Sequence, residues 1–463
     1  MKVLSWIDFV MTPLWLIIIY TGAFVVRRLR YPGDPTARYF LPGLTLKLFA
    51  GLILGVIYQY YYASGDTISY YQTARTLMVA FLNDFDEGLR LFFADFNNLD
   101  YQTQQIVTRY TSEGYRMPYW KNPSAFSVVR YVFIANLLTY NSYYASSLLI
   151  SVLSFSGVWG LYRVFVRQYP ELSDRLAVAV FFIPSVFFWG SGILKDPIAM
   201  GMLGLLTYAV YRMLHTPRYM LLFVAVAMAA GFVVFSIKPY ILLSFIPFAA
   251  IWVGIELRNR LTKGFARFSI TPVVLIVTIL AGYAALNTLG QQTTRFSFDM
   301  ILETAVRVKS DLIRSYYYDD GRGSSYNIGE FDGSIQSQLR LLPMAVFTTL
   351  FRPGLWEVRK NAFMFLAALE STALLIFCIG FFWRCGVMNV FVVIARVPFL
   401  LLCIGYSISF AFMVGLTSGN FGNLVRYKIP CVPYFVGGLI IIDYLIRENR
   451  RAKRKSAAAP GAG

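Results

Sequence analysis

FVMTPLWLIIIYTGAFVV, residues 9–26, is an unbroken uncharged run that ends in Arg27, Arg28 and Arg30. About 20 apolar residues in helical form span the hydrocarbon core of a bilayer. Lipid offers no partner to a backbone amide, so a stretch of this kind must satisfy its own hydrogen bonds as a helix. Only Lys2 precedes it, whereas a secretory signal peptide carries its positive charge in front and a small-residue cleavage site behind. The run therefore reads as a retained membrane helix with its N-terminus outside and its arginines on the cytoplasmic side.

Runs of the same kind recur near residues 42–62, 143–162, 174–191, 197–213, 219–236, 240–257, 269–286, 361–383, 397–416 and 431–446. With the first they predict an all-α, polytopic membrane helix bundle of about eleven transmembrane helices. The composition agrees: 57% of the 463 residues are hydrophobic and 14% charged, too little polar surface for a soluble domain. The alternating ten-residue strands of an outer-membrane barrel are not seen. Threading from an outside N-terminus puts Arg27–Arg38, Arg163–Arg175, Arg212–Arg218, Arg258–Arg267, Arg384–Arg396 and the C-terminal tail on one side. All six are net basic, as the positive-inside bias requires.

That distribution also answers the formal net charge of +18. The excess sits in short loops and in Arg447, Arg450, Arg451, Lys453, Arg454 and Lys455, so it anchors a cytoplasmic face and does not point to nucleic acid. Cys378, Cys385, Cys403 and Cys431 lie in or beside apolar spans with no disulfide or metal spacing. The single histidine, His215, falls in a short basic turn and reads as a solvated side chain. No metal and no cofactor is expected.

Two long segments then fall outside, about 63–142 and 287–360. Residues 72–95 mix apolar positions with Asp84, Asp86, Glu87 and Asp95, a pattern suited to a helix lying on the membrane surface. Residues 125–139 are apolar but short and contain Arg130, so they are expected at the interface or packed among helices. Three regions follow: an extra N-terminal helix and basic turn (1–40), a transmembrane module (41–447) and a basic disordered tail (448–463).

Polar residues gather at the outer helix ends. Asp66 follows Gly65 where the second helix leaves the bilayer, and Tyr70 lies one turn on. A carboxylate there can accept a proton from an attacking hydroxyl, or it can cap the next helix. The hairpin Pro184 to Lys195-Asp196-Pro197 places a lysine and an aspartate outside, where they either neutralise each other or face a ligand. Lys238, Arg352, Arg426 and Lys428 also fall outside, at positions the topology does not require to be basic. A shared anion such as a lipid phosphate accounts for five such cations; scattered headgroup contacts are the alternative. Glu370, near the middle of the ninth span, is either functional or paired. Tyr316 to Asp320 and Tyr326 to Glu330 form a polar aromatic loop whose Asp319 and Asp320 are weak candidates for a cation.

In this order and on one side, these motifs resemble the GT-C superfamily of membrane glycosyltransferases, which includes protein O-mannosyltransferases and aminoarabinose transferases. Gly65-Asp66 through Tyr70 is similar to the acidic motif that opens their first external loop. Pro184 to Asp196 resembles a segment at the same place in many bacterial members. Arg426-Tyr427-Lys428 with Pro430 and Pro433 resembles their late Arg-plus-proline motif. The layout covers about residues 40–450. The extra N-terminal helix departs from it, and no second acid of the first loop is clear.

The resemblance implies an inverting glycosyltransferase in the plasma (bacterial inner) membrane. It would move a sugar from a polyprenyl-phosphate donor to a lipid-linked glycan, a lipid or a protein. Asp66 would be the general base. Tyr70, Lys195, Asp196, Lys238, Arg352, Arg426, Tyr427 and Lys428 would bind substrate, the cations holding the leaving phosphate. Two other readings compete. A polysaccharide polymerase or ligase would use a diphosphate-linked donor at the same face. A glycolipid transporter or scaffold would place polar groups at the midplane on repeated, broken helices, and only Glu370 fits that description.

Overall fold

The computed structural model describes residues 4–95, 99–260, 335–358 and 362–457, with isolated positions at 269, 272–274, 276, 280, 326, 328 and 329. Among the described residues the regular elements are helical and none is a strand. Eight helices are long and apolar enough to cross a bilayer, or nine if one bent pair is a single span. The expected span at 269–286 lies almost wholly outside the described residues, as do Asp319 and Asp320.

The chain forms two compact units. The first, Met1–Pro170 with Val180–Pro239, contains α1 (Trp6–Arg30), α2 (Phe40–Val56, prolonged to Tyr61 by a π turn), α3 (Asp66–Asn83) and α4 (Phe85–Phe93). It continues with α5 (Tyr101–Ser112), α6 (Pro123–Leu138) and α7 (Tyr143–Gln168). After the short α8 (Ser173–Ala177), which belongs to the second unit, come α9 (Pro184–Trp189), α10 (Lys195–His215) and α11 (Met220–Ile237).

Four hydrogen-bonded side chains fix the direction of these helices. Asp8 near the start of α1 accepts from the Ser142 hydroxyl (2.7 Å) and the Tyr144 amide (3.2 Å), so its carboxylate meets the positive end of α7. At the other end Trp159 Nε1 donates to the Tyr31 hydroxyl (2.9 Å). Helices α1 and α7 are therefore parallel. The α1 helix is part of the first unit, not an appended module.

Lipid supplies no hydrophobic drive between helices, so they associate through close packing of small residues. Helices α7 and α10 do this with two glycines each, Gly157 and Gly160 against Gly201 and Gly204. A Cβ on Gly157 would collide with the carbonyl oxygen of Gly201, and one on Gly204 with that of Gly157. The order of these contacts makes α10 parallel to α7, and α11 returns beside it. The starts of α1, α7 and α10 and the ends of α2 and α11 thus share one end of the unit. The arginine-bearing turns lie at the other.

One expected feature differs. The stretch 174–191 is not one continuous helix: α8, a π turn (Val178–Phe182) and α9 follow one another, broken at Ile183, whose backbone is extended (ψ 124°). Pro184 causes the break, because its ring disfavours helical geometry in the preceding residue. Residues 125–139 form α6, whose 16 residues are short of a bilayer span. Arg130 on α6 donates to the carbonyls of Phe92 (2.7 Å) and Ala94 (2.9 Å), satisfying the end of α4.

The α1–α2 turn is locked from α7. Asp34 accepts from the Thr36 amide (2.9 Å) and from Arg163 Nη1 (2.6 Å). Burial alone would raise its pKa, but the hydrogen bonds from Thr36 and Arg163 outweigh it and hold the carboxyl below its ordinary value. A depressed carboxylate pKa stabilises the fold above the unfolded value of about 3.9 and loses that contribution as pH falls through the folded value. Wild type should therefore exceed Asp34→Asn in unfolding temperature at pH 7 and pH 5. The gap should close only below about pH 4, as read by thermal melts in one detergent across that range.

The second unit, Glu171–Ala179 with Tyr240–Gly463, holds α12 (Pro239–Arg260), α13 (Ile335–Arg340), α14 (Leu342–Phe351), α15 (Ala362–Cys385) and α16 (Val387–Arg396). It ends with α17 (Pro398–Thr417), α18 (Phe421–Tyr427) and α19 (Val432–Ala457). Helix α17 is its axis: Thr349 of α14 donates to the Ala411 carbonyl (2.7 Å), and Tyr406 packs against Phe245 of α12 and Tyr434 of α19. Helices α18 and α19 meet at a 61° bend.

The tail expected to be disordered from residue 448 is helical through Ala457. Its side chains have work at that end. Arg450 donates to the carbonyls of Arg384 (2.9 Å) and Cys385 (3.1 Å), closing the C-terminus of α15. Arg447 pairs with Asp443, one turn earlier, at 2.8 Å.

Candidate functional site

The first unit's polar end is built around α3. Gly65 has φ +117°, a conformation that L side chains rarely adopt, and a Cβ there would lie 2.7 Å from the Tyr58 ring. Gly65 occupies the N-cap, so Asp66 is the first residue of the helix and not its cap. Its Oδ1 accepts a 2.6 Å hydrogen bond from the Tyr119 hydroxyl. Tyr70, expected to touch substrate, is buried and supports Tyr119, ring centroid to ring centroid 4.6 Å. The helix is pinned from behind by Tyr143 to Thr67 (2.9 Å) and by Tyr71 to the Asn141 carbonyl (2.5 Å).

Tyr119 belongs to a tight loop that also reaches the other hairpin. The Asn122 amide donates to the Tyr119 carbonyl (3.1 Å), Asn122 Oδ1 accepts from Ser124 (2.9 Å), and Lys195 Nζ donates to Ser124 Oγ (2.9 Å). The segment 119–124, a turn running into the first residues of α6, is thus bonded at one end to Asp66 and at the other to Lys195. An open pocket of about 420 Å³ lies along Gly65, Ile68, Ser69 and Gln72 of the α3 start, with neither Asp66 nor Tyr119 in its lining. Its polar lining comes from Ser64, Ser69, Gln72, Thr111, Tyr115 and Arg116, hydroxyl, amide and guanidinium groups suited to a polyhydroxylated ligand.

Asp196, fully buried, is ion-paired with Lys238, whose side chain is itself 5% exposed. This pair joins the start of α10 to the residue that ends α11. Three acids of the first long segment are also engaged: Asp84 caps α4, Glu87 pairs with Arg109, and Asp100 faces Arg90 at 3.4 Å.

The second unit carries the remaining expected residues. Arg352 forks onto Glu357, which also accepts from the Gly354 amide (2.8 Å). Its guanidinium lies 5.1 Å from the Tyr326 ring and 5.2 Å from the Phe421 ring, two rings stacked on each other at 4.8 Å. Lys428, buried, donates to Ser371 Oγ (2.9 Å) and the Leu350 carbonyl (3.4 Å). Arg426 and Tyr427 close α18, both half-buried.

Two residues escaped the sequence reading. Tyr119 stands between Pro118 and Pro123, and that bracketing marked a rigid loop. Lys47, inside α2, is 1% exposed and donates to the Gly190 and Val186 carbonyls and to Ser154 Oγ. It satisfies the carbonyls freed where α9 ends. Among the described residues no three His, Cys, Asp or Glu side chains gather as metal ligands.

The fold defines a class: a multi-pass helical membrane protein. Comparison with protein families, curated proteins and solved structures finds no match for the chain.

Proposed function

We propose that the protein is an inverting glycosyltransferase that uses a polyprenyl-phosphate sugar. The site would be the Asp66 end of the first unit, on the extracytoplasmic face of a bacterial inner membrane. The observation that carries this reading is the segment 119–124, bonded at one end to the Asp66 carboxylate and at the other to Lys195 at a helix start. In the reaction the acceptor hydroxyl oxygen bonds to the anomeric carbon from the face opposite the donor phosphate. The carbon–oxygen bond to phosphate breaks, its electron pair leaves with the polyprenyl phosphate, and Asp66 takes the acceptor proton. Tyr119 orients the carboxylate. Lys195 stands against the charge growing on the leaving phosphate. The acceptor is a glycan, lipid or protein hydroxyl.

Lys238, Arg352 and Lys428 are assigned to the framework: Asp196 and Glu357 answer the charges of the first two, and the buried Lys428 ammonium donates to Ser371 Oγ and the Leu350 carbonyl. Membranes containing wild-type protein should transfer label from a polyprenyl-phosphate hexose or pentose. Asp66→Asn should lower the rate by about 10²–10⁴-fold, the usual worth of a general base. Transfer by Asp66→Asn near the wild-type rate would exclude the assignment. Activity only with a diphosphate-linked donor would move the protein to the polymerases and ligases.

A further inference from the structure

At the arginine end of the first unit, the α1–α2 turn encloses an open pocket of about 520 Å³. Arg27, Arg28 and Arg38 line it together with Tyr31 and Phe24. The only carboxylate on its wall is Asp34, and that group is already engaged by Thr36 and Arg163. Among the described residues neither Arg27 nor Arg28 has an ion-pair partner. The walls are held in place from α7: Arg163 bonds Asp34 and Thr36 and lies 5.1 Å from the Tyr31 ring, whose hydroxyl receives Trp159. The pocket is therefore a shaped concavity with a strong positive surplus, and flexible surface lysines play no part in it.

The helix that runs away from this pocket explains what fills it. Over α1 only Asp8, Ile19 and Ala23 are buried, while Phe9, Ile17, Phe24 and Leu29 are exposed. In a bilayer that surface is covered by acyl chains. A ligand with an anionic head in the pocket and hydrocarbon along Phe24 and α1 satisfies both at once. Basic pockets at helix ends take phospholipid heads for this reason, and arginine suits the phosphate by forking onto two oxygens. We propose that the α1–α2 turn is a binding site for one anionic phospholipid, its phosphate held by Arg27, Arg28 and Arg38. The site is independent of the Asp66 end and of any transfer reaction.

Native mass spectrometry of the full chain in detergent, titrated with dioleoyl phosphatidylglycerol, tests it. Wild type should retain one tightly held phosphatidylglycerol and should hold phosphatidylcholine at least tenfold more weakly. The triple variant Arg27→Gln/Arg28→Gln/Arg38→Gln should lose that adduct about tenfold or more, while Arg258→Gln/Arg260→Gln, which removes charge at the end of another helix, should keep it. If the triple variant does not elute as a folded species, each single variant should still weaken retention about threefold. Inorganic phosphate at millimolar concentration should not displace the lipid. Equal retention of the two lipids, equal loss in the control pair, or displacement by free phosphate would each overturn the assignment.

Discussion

Lys238→Met should destabilise the protein by about 3–5 kcal/mol, the usual penalty for leaving one member of a buried ion pair alone. Asp196 has no exposed surface, and the lysine that faces it has almost none. Once the ammonium is gone, the carboxylate must either stay charged in a medium that solvates it poorly or take up a proton. The double variant Asp196→Leu/Lys238→Met should recover most of the loss, because well-packed apolar groups replace buried pairs at little cost. Unfolding midpoints of the three proteins in one detergent measure it. A single variant as stable as the double would show that the pair contributes nothing. If Lys238 served a bound phosphate instead, Lys238→Met would lose activity and keep its midpoint.

Gly157→Val should be comparably damaging, about 3 kcal/mol or more, at the upper end of overpacking penalties. The new side chain has no direction in which to yield: the atom it meets is the Gly201 carbonyl oxygen, part of a helix backbone. Parting α7 from α10 to make room would also give up the close packing of Gly204 on Gly157 and of Gly201 on Ser154. The yield of monodisperse protein and its melting temperature are the readouts. Gly22→Ala in α1, where a Cβ meets nothing within 4 Å, should be neutral or slightly stabilising. Equal behaviour of the two variants would refute the close crossing.

These contacts show how far the amino-acid order can be read. Apolar runs near 9–26, 42–62, 143–162, 197–213, 219–236, 240–257, 361–383 and 397–416 each became a long helix, because burial in lipid depends on average hydropathy over a turn or more. Run length does not reveal a break. In 174–191 the apolar average hid Pro184, and the basic tail concealed a helix that continues because Arg450 has carbonyls to cap. The paired glycines of α7 and α10 stand three apart in the chain, but the sequence reading passed over them, because only packing shows that they face each other. At the candidate site, Asp66 was singled out by the glycine before it and its place at a helix exit. The partnering of Lys238 with Asp196 was not legible, since 42 residues separate them. Tyr70, read as a ligand contact, is buried with its ring against Tyr119, a packing that its position alone did not reveal.

Lys47 has a consequence for how the chain enters the membrane. Its main acceptor, the Gly190 carbonyl, lies 143 residues further along, so it leaves the ribosome long after the second apolar helix has met the translocon. At ~5–20 residues per second that interval is roughly 7–30 s. Until then the lysine has no hairpin to donate to, and a lysine at the centre of an inserting helix costs about 2.5–3.5 kcal/mol. The nascent second helix should therefore linger beside the translocation machinery, and commit to the bilayer only when residues 184–190 arrive to accept its ammonium.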